Sequence, residues 1–264
     1  MTEEEIQRVR QHPFLRTSEA LRRLLDEAVD PASKGSALEL DGRRLQQARE
    51  RSARSRSRWQ TRAPDHLGEA HDLMYMADGD TNGLFSFLGT EMGRKGFVNP
   101  VVERRLSITC SGPLGKHCDP KLLASRKFVN TSYAGPCYEN GAWSTWWRFD
   151  LAEGLRLAVN YYTIRHDGSD NFPRNWALQG SADGAEWATL REHAGDESIR
   201  RRGQFCSWPV AQARQRPVRA LRLVLTGPNA SANPAEGRRF CLAGAEFYGQ
   251  LYIDAPRREE GASP

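Results

Sequence analysis

The hydrophobic positions in the C-terminal two-thirds of the chain repeat with a period of two. Tyr162 and Ile164 alternate with Tyr161 and Thr163, and residues 221–226 repeat the pattern. Successive side chains of a β-strand point to opposite faces of the sheet, so this spacing predicts strands with one buried face. Turn residues separate the segments that carry the pattern.

The predicted strands follow one another without an intervening helix. They lie at residues 84–88, 105–110, 145–151, 161–166, 176–181, 187–192, 205–208, 221–226 and 241–248. A parallel sheet would need helical crossovers between its strands, and no helical stripe of sufficient length separates them. The pattern therefore predicts an all-β fold, a β-sandwich.

The N-terminal residues follow a different pattern. Thr2 and Glu5 fit a capping box, and the apolar residues between positions 21 and 28 recur at helical spacing. We therefore predict a short helical segment over residues 1–30, which would pack on the sandwich or dock on a partner.

Residues 31–77 are polar and rich in Arg and Ser, and they are predicted to be a basic, flexible linker. The net charge of +5 comes largely from arginines crowded into residues 43–62. This segment is the place where contact with nucleic acid would be expected, and a solvated basic linker is the alternative interpretation. Residues 253–264 are predicted to be a disordered tail.

The composition and the cysteine count indicate in which cellular compartment the protein is expected. Hydrophobic residues make up 39% of the chain and charged residues 27%, and no apolar run approaches the ~20 residues of a membrane span. The N-terminus is acidic and lacks the apolar stretch of a secretory signal. The five cysteines are an odd number without framework spacing. We therefore expect reduced thiols, no membrane partner, and an intracellular, cytoplasmic location.

An Asp-rich turn precedes the predicted sandwich. Asp78, Asp80 and Asn82 match the first half of a calcium-binding loop, but position twelve of that loop is Gly89, where an EF-hand requires glutamate. The three residues remain candidates for binding a structural cation. The alternative is an Asx-turn that leads into the sandwich.

Sequence signals of catalysis are absent. The chain contains no G-x-S-x-G elbow, no phosphate-binding loop of the G-x-x-x-x-G-K-[ST] type and no H-E-x-x-H zinc motif. His166 next to Asp167 is a weak signal, because a histidine at a strand end more commonly forms hydrogen bonds into the adjoining loop. We therefore expect neither an enzyme nor a cofactor.

The ordered motifs of the C-terminal region resemble a known family. They are N-P (99–100), T-S-Y-A-G-P (131–136), T-W-W-R-F-D-L (145–151), N-Y-Y-T-I-R-H-D-G-S (160–169), R-N-W-A-L-Q-G-S-A-D-G (174–184), G-Q-F-C-S-W-P-V (203–210), L-T-G-P-N-A (225–230) and F-C-L-A-G-A-E-F-Y-G (240–249). In this respect the chain resembles the F5/8 type C (discoidin-like) domain of the galactose-binding-like superfamily. The resemblance implies a jelly-roll β-sandwich over residues 78–252. The similarity is to the intracellular version in plant BTB/POZ-domain proteins and in a large HECT-type ubiquitin ligase.

The resemblance implies a non-catalytic recognition module that binds its ligand through loops at one end of the sandwich. In the ubiquitin-related members such a domain recognises a protein partner, so we expect an adaptor or a subunit of a larger ubiquitin-ligase-type assembly. The chain shows no BTB or HECT domain, only the helical segment and the basic linker. The candidate ligand-binding residues are polar or aromatic loop residues: Asp167, Ser169, Asp170, Asn171, Arg174, Asn229, Ser231, Tyr138 and Asn140.

Two alternatives to protein binding remain open. A carbohydrate-binding module would need exposed aromatic rings, which Trp143, Trp146 or Trp147 could provide, although strand alternation favours the core for at least one of them. A structural subunit that contacts nucleic acid would use residues 43–62, and its affinity would fall steeply with salt.

Overall fold

The computed structural model describes residues 68–112, 119–139 and 141–254. The predicted N-terminal helix, the linker up to residue 67, the loop residue Asn140 and the tail from residue 255 lie outside the described residues. All of the described residues belong to one compact unit.

Two five-stranded antiparallel sheets form the body of this unit. The strands of the first sheet are β1 (Glu69–Leu73), β7 (Leu155–Arg165), β10 (Phe205–Pro209), β11 (Pro217–Val218) and β14 (Gly244–Ile253). The strands of the second sheet are β2 (Leu106–Cys110), β6 (Trp146–Leu151), β8 (Trp176–Ser181), β9 (Ala188–His193) and β12 (Ala220–Leu225). The first sheet has the order β1-β14-β7-β10, with β11 also paired to β7, and the second has the order β2-β6-β12-β8-β9.

Shorter elements complete the unit. Two strand pairs stand apart from the main sheets, β3 (Tyr133–Ala134) with β13 (Phe240–Cys241), and β4 (Cys137–Glu139) with β5 (Ala142–Ser144). One α-helix, α1 (Leu84–Gly89), and two 3₁₀ helices (Pro120–Ala124 and Gln212–Arg214) are the helical elements of the described residues. None of the described helices is long and apolar enough to cross a membrane.

The predicted all-β sandwich is confirmed. Every pairing between the described strands is antiparallel, and eight of the nine predicted strands overlap an observed one. Large side chains fill the space between the sheets: Trp147, Tyr162, Trp176 and Phe247 are fully buried. The buried Trp147 also donates a hydrogen bond from Nε1 to the Phe240 carbonyl (2.9 Å), so its one polar group has a partner.

The structure corrects two of the predicted boundaries. Residues 84–88, predicted as a strand, lie in α1, because a short apolar run that is buried on most sides does not distinguish helix from strand. Residues 69–73, which fell within the predicted linker, form the edge strand β1 paired with β14. An edge strand has a solvent-exposed side and is compatible with polar residues, so the sandwich begins earlier than residue 78.

Strand order brings several loops to one end of the sandwich. Arg165, the last residue of β7, is paired with the first residues of both β10 and β14. In the other sheet, Trp176 at the start of β8 is paired with Leu225 at the end of β12 and with the end of β9. The loops at residues 166–175, 194–204 and 226–239 therefore leave the sheets at the same end, which we call the loop end.

A groove at the loop end

Asp167 stabilises the loop end through internal hydrogen bonds. Its carboxylate is fully buried and accepts hydrogen bonds from the Ser132 amide (3.0 Å), the Ser169 amide (2.9 Å) and the Ser169 hydroxyl (2.6 Å). Each oxygen therefore has a partner inside the protein. The side chain is out of reach of solvent and positions Ser169, and the expected ligand contact of Asp167 stays a prediction.

Asn171 and Asn229 also act as internal links. Asn171 donates from Nδ2 to Glu236 Oε2 (3.0 Å), and Asn229 donates from Nδ2 to the carbonyls of Glu236 and Arg239 (2.8 Å each). Both asparagine side chains are buried. Their amides therefore connect the loops to each other, and the expected ligand contacts of these two residues stay predictions.

Arg174 and Asp170 lie nearer the surface. Arg174 donates from Nη1 to the carbonyls of Asp196 (3.1 Å) and Ile199 (2.8 Å), so it holds the neighbouring loop at residues 194–204. Asp170 is exposed and forms an ion pair with Arg202, whose hydrogen bond lowers the pKa of the Asp170 carboxyl. Ser169, Asp170, Arg174 and Ser231 remain predicted ligand contacts.

Asn175 joins three loops, and sequence reasoning did not select it. Its Nδ2 donates to the Pro228 carbonyl (3.1 Å), and its Oδ1 accepts from the Gly195 amide (2.9 Å). A Cβ at Gly227 would lie 2.9 Å from the Asn175 Cβ, closer than van der Waals contact allows, so glycine permits this approach. The connection fixes the loop at residues 226–239 against the rest of the loop end.

Beside this fixed loop lies an open groove of about 240 Å³. It is lined by Trp143, Thr145, Leu225, Thr226, Gly227, Pro228 and Arg238. The Thr145 hydroxyl donates to the Arg238 carbonyl (2.8 Å) and so holds the backbone at that wall. The guanidinium of Arg238 is exposed and forms no hydrogen bond or ion pair with the residues that the structure describes. The groove therefore combines apolar and polar walls with one cation that has no side-chain partner among the described residues.

An exposed aromatic pair flanks the groove. Tyr138 and Trp143 face each other across the β4–β5 pair, with ring centroids 5.3 Å apart and ring planes at 68°. The side chains are 63% and 55% exposed, respectively, although rings of this size are usually buried. Tyr138 was among the predicted site residues, and Asn140 lies in the same turn but outside the described residues. Trp143 was weighed only as a sugar platform, and nothing in the sequence indicated Arg238.

The Asp-rich turn before α1 is held by its own backbone. The Asp80 carboxylate accepts hydrogen bonds from the amides of Met76, Ala77 and Asn82 (2.8–3.1 Å) and from the Tyr248 hydroxyl (3.0 Å). Burial opposes ionisation of Asp80, but these hydrogen bonds outweigh it and lower the pKa. This geometry is that of an Asx-turn. Among the described residues, no group of three or more His, Cys, Asp and Glu side chains is arranged to hold a metal ion.

Fold and loop end together define the class of protein. Two antiparallel sheets with loops gathered at one end give this chain a discoidin-like β-sandwich fold, as its motifs implied. No family model matches the chain.

Comparison with curated proteins gives more specific relatives. A BTB/POZ domain-containing protein of Arabidopsis thaliana is 46% identical over 179 residues, which are 67% of this chain and 22% of that protein. An E3 ubiquitin-protein ligase of Drosophila melanogaster is 31% identical over 182 residues, which are 66% of this chain and 6% of that protein. The chain thus spans a small part of the length of each relative.

Solved structures resemble the chain at low sequence identity. A chitosan-binding module from a Paenibacillus chitosanase/glucanase is 15% identical, with a TM-score of 0.40, and the match covers 55% of this chain and 96% of the module. An F5/8 type C domain from Bacteroides fragilis is 14% identical, with a TM-score of 0.39, and the match covers 58% of this chain and 95% of that domain.

Proposed function

We propose that this sandwich is a non-catalytic recognition module that binds a protein segment in the groove beside Trp143. The exposed Tyr138–Trp143 pair carries the proposal, because two large rings at the edge of a groove gain contact area only when a partner covers them. Aromatic residues and arginine are the residue types that dominate binding energy at protein interfaces, and Arg238 supplies the second type.

The geometry of the rings favours a peptide over a sugar. Flat stacking on a sugar face uses one ring or coplanar rings, whereas Tyr138 and Trp143 are inclined at 68°. A groove of about 240 Å³ has room for one or two side chains, with Thr226 and the adjoining backbone available for hydrogen bonds. We infer that an extended segment lies along the groove and places an apolar side chain against Trp143.

The relatives support a role in ubiquitin-ligase-type assemblies inside the cell. Two of them are named as a BTB/POZ domain-containing protein and an E3 ubiquitin-protein ligase. Because only a small part of each relative aligns with this chain, we propose that the chain contributes recognition, as an adaptor or subunit, and that catalysis belongs to other components.

The environment of His166 also supports the proposal that the module is non-catalytic. The ring is fully buried, with Nδ1 facing the Cys241 carbonyl (3.0 Å) and Nε2 facing the Ser169 carbonyl (2.9 Å). Both nitrogens therefore contact backbone oxygens. A general acid or base must reach the proton that it transfers, and this ring is positioned to hold the loop instead.

A substitution in the groove tests the proposal. Full-length protein and a Trp143→Ala variant would be used for affinity purification, and the captured proteins would be mapped to a binding segment by tiled peptides. We expect Trp143→Ala to weaken binding of the mapped peptide by about 2 kcal/mol, roughly thirtyfold in Kd. Met76→Ala, which truncates a side chain of similar exposure on another part of the sandwich, is the matched control and should leave the affinity unchanged. Equal peptide affinity for all three proteins would contradict the proposal.

A carbohydrate ligand is the second candidate, and the exposure of Trp143 is the observation that favours it. A glycan array probed with the full-length protein and with Trp143→Ala distinguishes the two. Glycan binding that depends on Trp143, in the absence of any Trp143-dependent peptide, would favour the sugar. Contact with nucleic acid through residues 43–62, outside the described residues, stays a prediction that a salt titration of RNA binding would test.

A further inference from the structure

A second cavity, of about 130 Å³, lies on the outer face of the first sheet and shares no residue with the groove. It is enclosed by α1, the 3₁₀ helix at Pro120–Ala124 and the first residues of β10 and β14. Apolar rings contribute to its walls, among them those of Phe85, Phe97 and Phe205. Four ionisable side chains also line it, namely Asp80, Arg126, Arg165 and Glu246.

Arg165 is held in this cavity by two aromatic rings. Its guanidinium carbon lies 4.7 Å from the ring centroid of Phe128 and 4.6 Å from that of Phe205, and Nε donates to the Gly203 carbonyl (3.2 Å). The two terminal nitrogens donate to no described residue, and no described carboxylate forms an ion pair with this arginine. Burial lowers its pKa from the usual value, as expected for a guanidinium that lacks a carboxylate partner.

Arg126 lines the same cavity and, like Arg165, lies against an aromatic ring without a carboxylate partner among the described residues. Its guanidinium lies 4.3 Å from the ring centroid of Phe97, and Nη2 donates to the Ser86 hydroxyl (3.2 Å). A guanidinium has five N–H donors, and this is the one hydrogen bond that Arg126 donates to the described residues. Arg126 is exposed and Arg165 is partly buried, and both line this cavity with N–H donors that have no partner among the described residues.

The two acidic side chains that line the cavity, in contrast, accept hydrogen bonds from neighbouring groups. Glu246 accepts hydrogen bonds from the amides of Phe85 (2.7 Å) and Ser86 (3.3 Å) at the start of α1. Asp80 accepts from three backbone amides and the Tyr248 hydroxyl. Neither forms an ion pair with Arg126 or Arg165. The cavity therefore holds two guanidinium groups without a carboxylate partner among the described residues, beside two carboxylates that already accept hydrogen bonds from other groups.

We propose that this cavity binds the carboxylate of a glutamate or aspartate side chain presented by a partner protein. A planar carboxylate matches the guanidinium fork, and the stacked rings already hold both arginines in place, so little side-chain entropy is lost on binding. The volume accommodates one acidic side chain, and Phe128, 45% exposed at the rim, offers apolar contact to the rest of the segment. A phosphate fits less well, because its greater negative charge would lie near Glu246 and Asp80.

NMR titration of the full-length protein tests this proposal with defined probes. The capped tripeptide Ala-Glu-Ala would be titrated while the Nε–H signals of Arg126 and Arg165 are monitored, and the capped tripeptide Ala-Gln-Ala would serve as the neutral isostere. We expect saturable shifts of both signals with the glutamate peptide and binding about tenfold weaker with the glutamine peptide, since one charge-assisted interaction is lost. Equal shifts with both peptides would overturn the proposal, and so would tighter binding of inorganic phosphate.

Matched variants separate the cavity from general effects of charge. Arg126→Gln should weaken binding of the glutamate peptide by about tenfold, because it removes one of the two cations. Arg156→Gln, which removes an arginine elsewhere on strand β7, should not. Because Arg165 also packs between two rings, Arg165→Lys is the second variant, and its fold is checked by the unchanged amide spectrum of the core. Full affinity in Arg126→Gln and Arg165→Lys would overturn the proposal, whereas Trp143→Ala acts only on the groove and leaves this titration unchanged.

Discussion

Asn171 donates a hydrogen bond from Nδ2 to Glu236 Oε2 at 3.0 Å, and this contact joins two loops that are 65 residues apart in the sequence. Glu236 also accepts from Arg239 Nη1 (2.8 Å), so one carboxylate ties together both sides of the loop end. The wall of the groove beside Pro228 thereby rests on a network of internal polar contacts.

Removal of this link should loosen the loop end at a measurable cost in stability. We expect Asn171→Ala to lower the free energy of unfolding by about 1–2 kcal/mol, because the partly buried Glu236 carboxylate loses a donor from the buried Asn171 side chain. Chemical denaturation of the full-length protein measures the effect. Asn160→Ala, which truncates an exposed amide on β7, is the control and should stay within about 0.5 kcal/mol of the wild type. Identical stability of Asn171→Ala and the wild type would show that the link contributes nothing.

A bulge in β14 depends on Gly249. This residue has φ of +138°, and the pairing of β14 with β7 shifts register between Tyr248 and Gly249. A Cβ there would lie 2.0 Å from the Ala158 carbonyl oxygen, so the backbone of β7 would have to move.

We therefore expect Gly249→Ala to destabilise the fold by about 3 kcal/mol or more, since the substitution combines backbone strain with a steric clash in the central strand pair. Thermal unfolding followed by circular dichroism measures this effect. Gly96→Ala is the matched control, because a Cβ there meets nothing within 4 Å. A Gly249→Ala protein as stable as Gly96→Ala would mean that the two strands tolerate the displacement.

The sandwich could be predicted from the sequence because a strand with one buried face has a hydrophobic residue at every second position. Trp147 and Trp176 occupy inward positions of strands whose alternation is visible in the chain, and both are fully buried. The pattern fails where burial is not periodic. Residues 84–88 are apolar except for Ser86, and Glu69–Leu73 is a mostly polar edge strand, so neither element has a distinctive signature.

The candidate site was less predictable because the sequence does not distinguish a polar loop residue that contacts a ligand from one that forms hydrogen bonds within the protein. Asp167 and Asn229 were selected as ligand contacts, and the structure shows that their oxygens and nitrogens are occupied by the protein's own backbone. Tyr138 was selected and is exposed, but its pairing with Trp143 depends on the β4–β5 register. The cation at Arg238 becomes apparent only when the chain between β12 and β13 is traced in space.

The edge strand β1 predicts where the chain can be shortened. Deletion of residues 1–67 leaves β1 paired with β14, whereas deletion of residues 1–77 removes it together with the buried Leu73. We expect the longer deletion to lower the free energy of unfolding by about 2–4 kcal/mol relative to the shorter one, because a buried leucine and a row of backbone hydrogen bonds are lost. Equal urea midpoints for the two truncated proteins would show that β1 does not stabilise the sandwich.

Glu246 predicts a dependence of stability on pH. Burial raises the pKa of this carboxyl to about 7, although the amides of Phe85, Phe247 and Ser86 donate hydrogen bonds to it and partly oppose the increase. The folded state therefore holds a proton on Glu246 at pH values where the unfolded state, with a carboxyl pKa near its ordinary ~4.3, has released it. The contribution of Glu246 to stability is accordingly greatest below about pH 4 and decreases as the pH rises through 7.

Comparison with Glu246→Gln isolates this effect from other titrating groups, because the variant retains an acceptor oxygen and lacks the proton equilibrium. We expect the stability of the wild type relative to the variant to decrease by about 1–3 kcal/mol between pH 4.5 and 7.5, and to level off above that range. Urea denaturation at closely spaced pH values measures the difference. A constant difference across the range would place the pKa of folded Glu246 near its ordinary value and would mean that the two α1 amides fully compensate the loss of hydration.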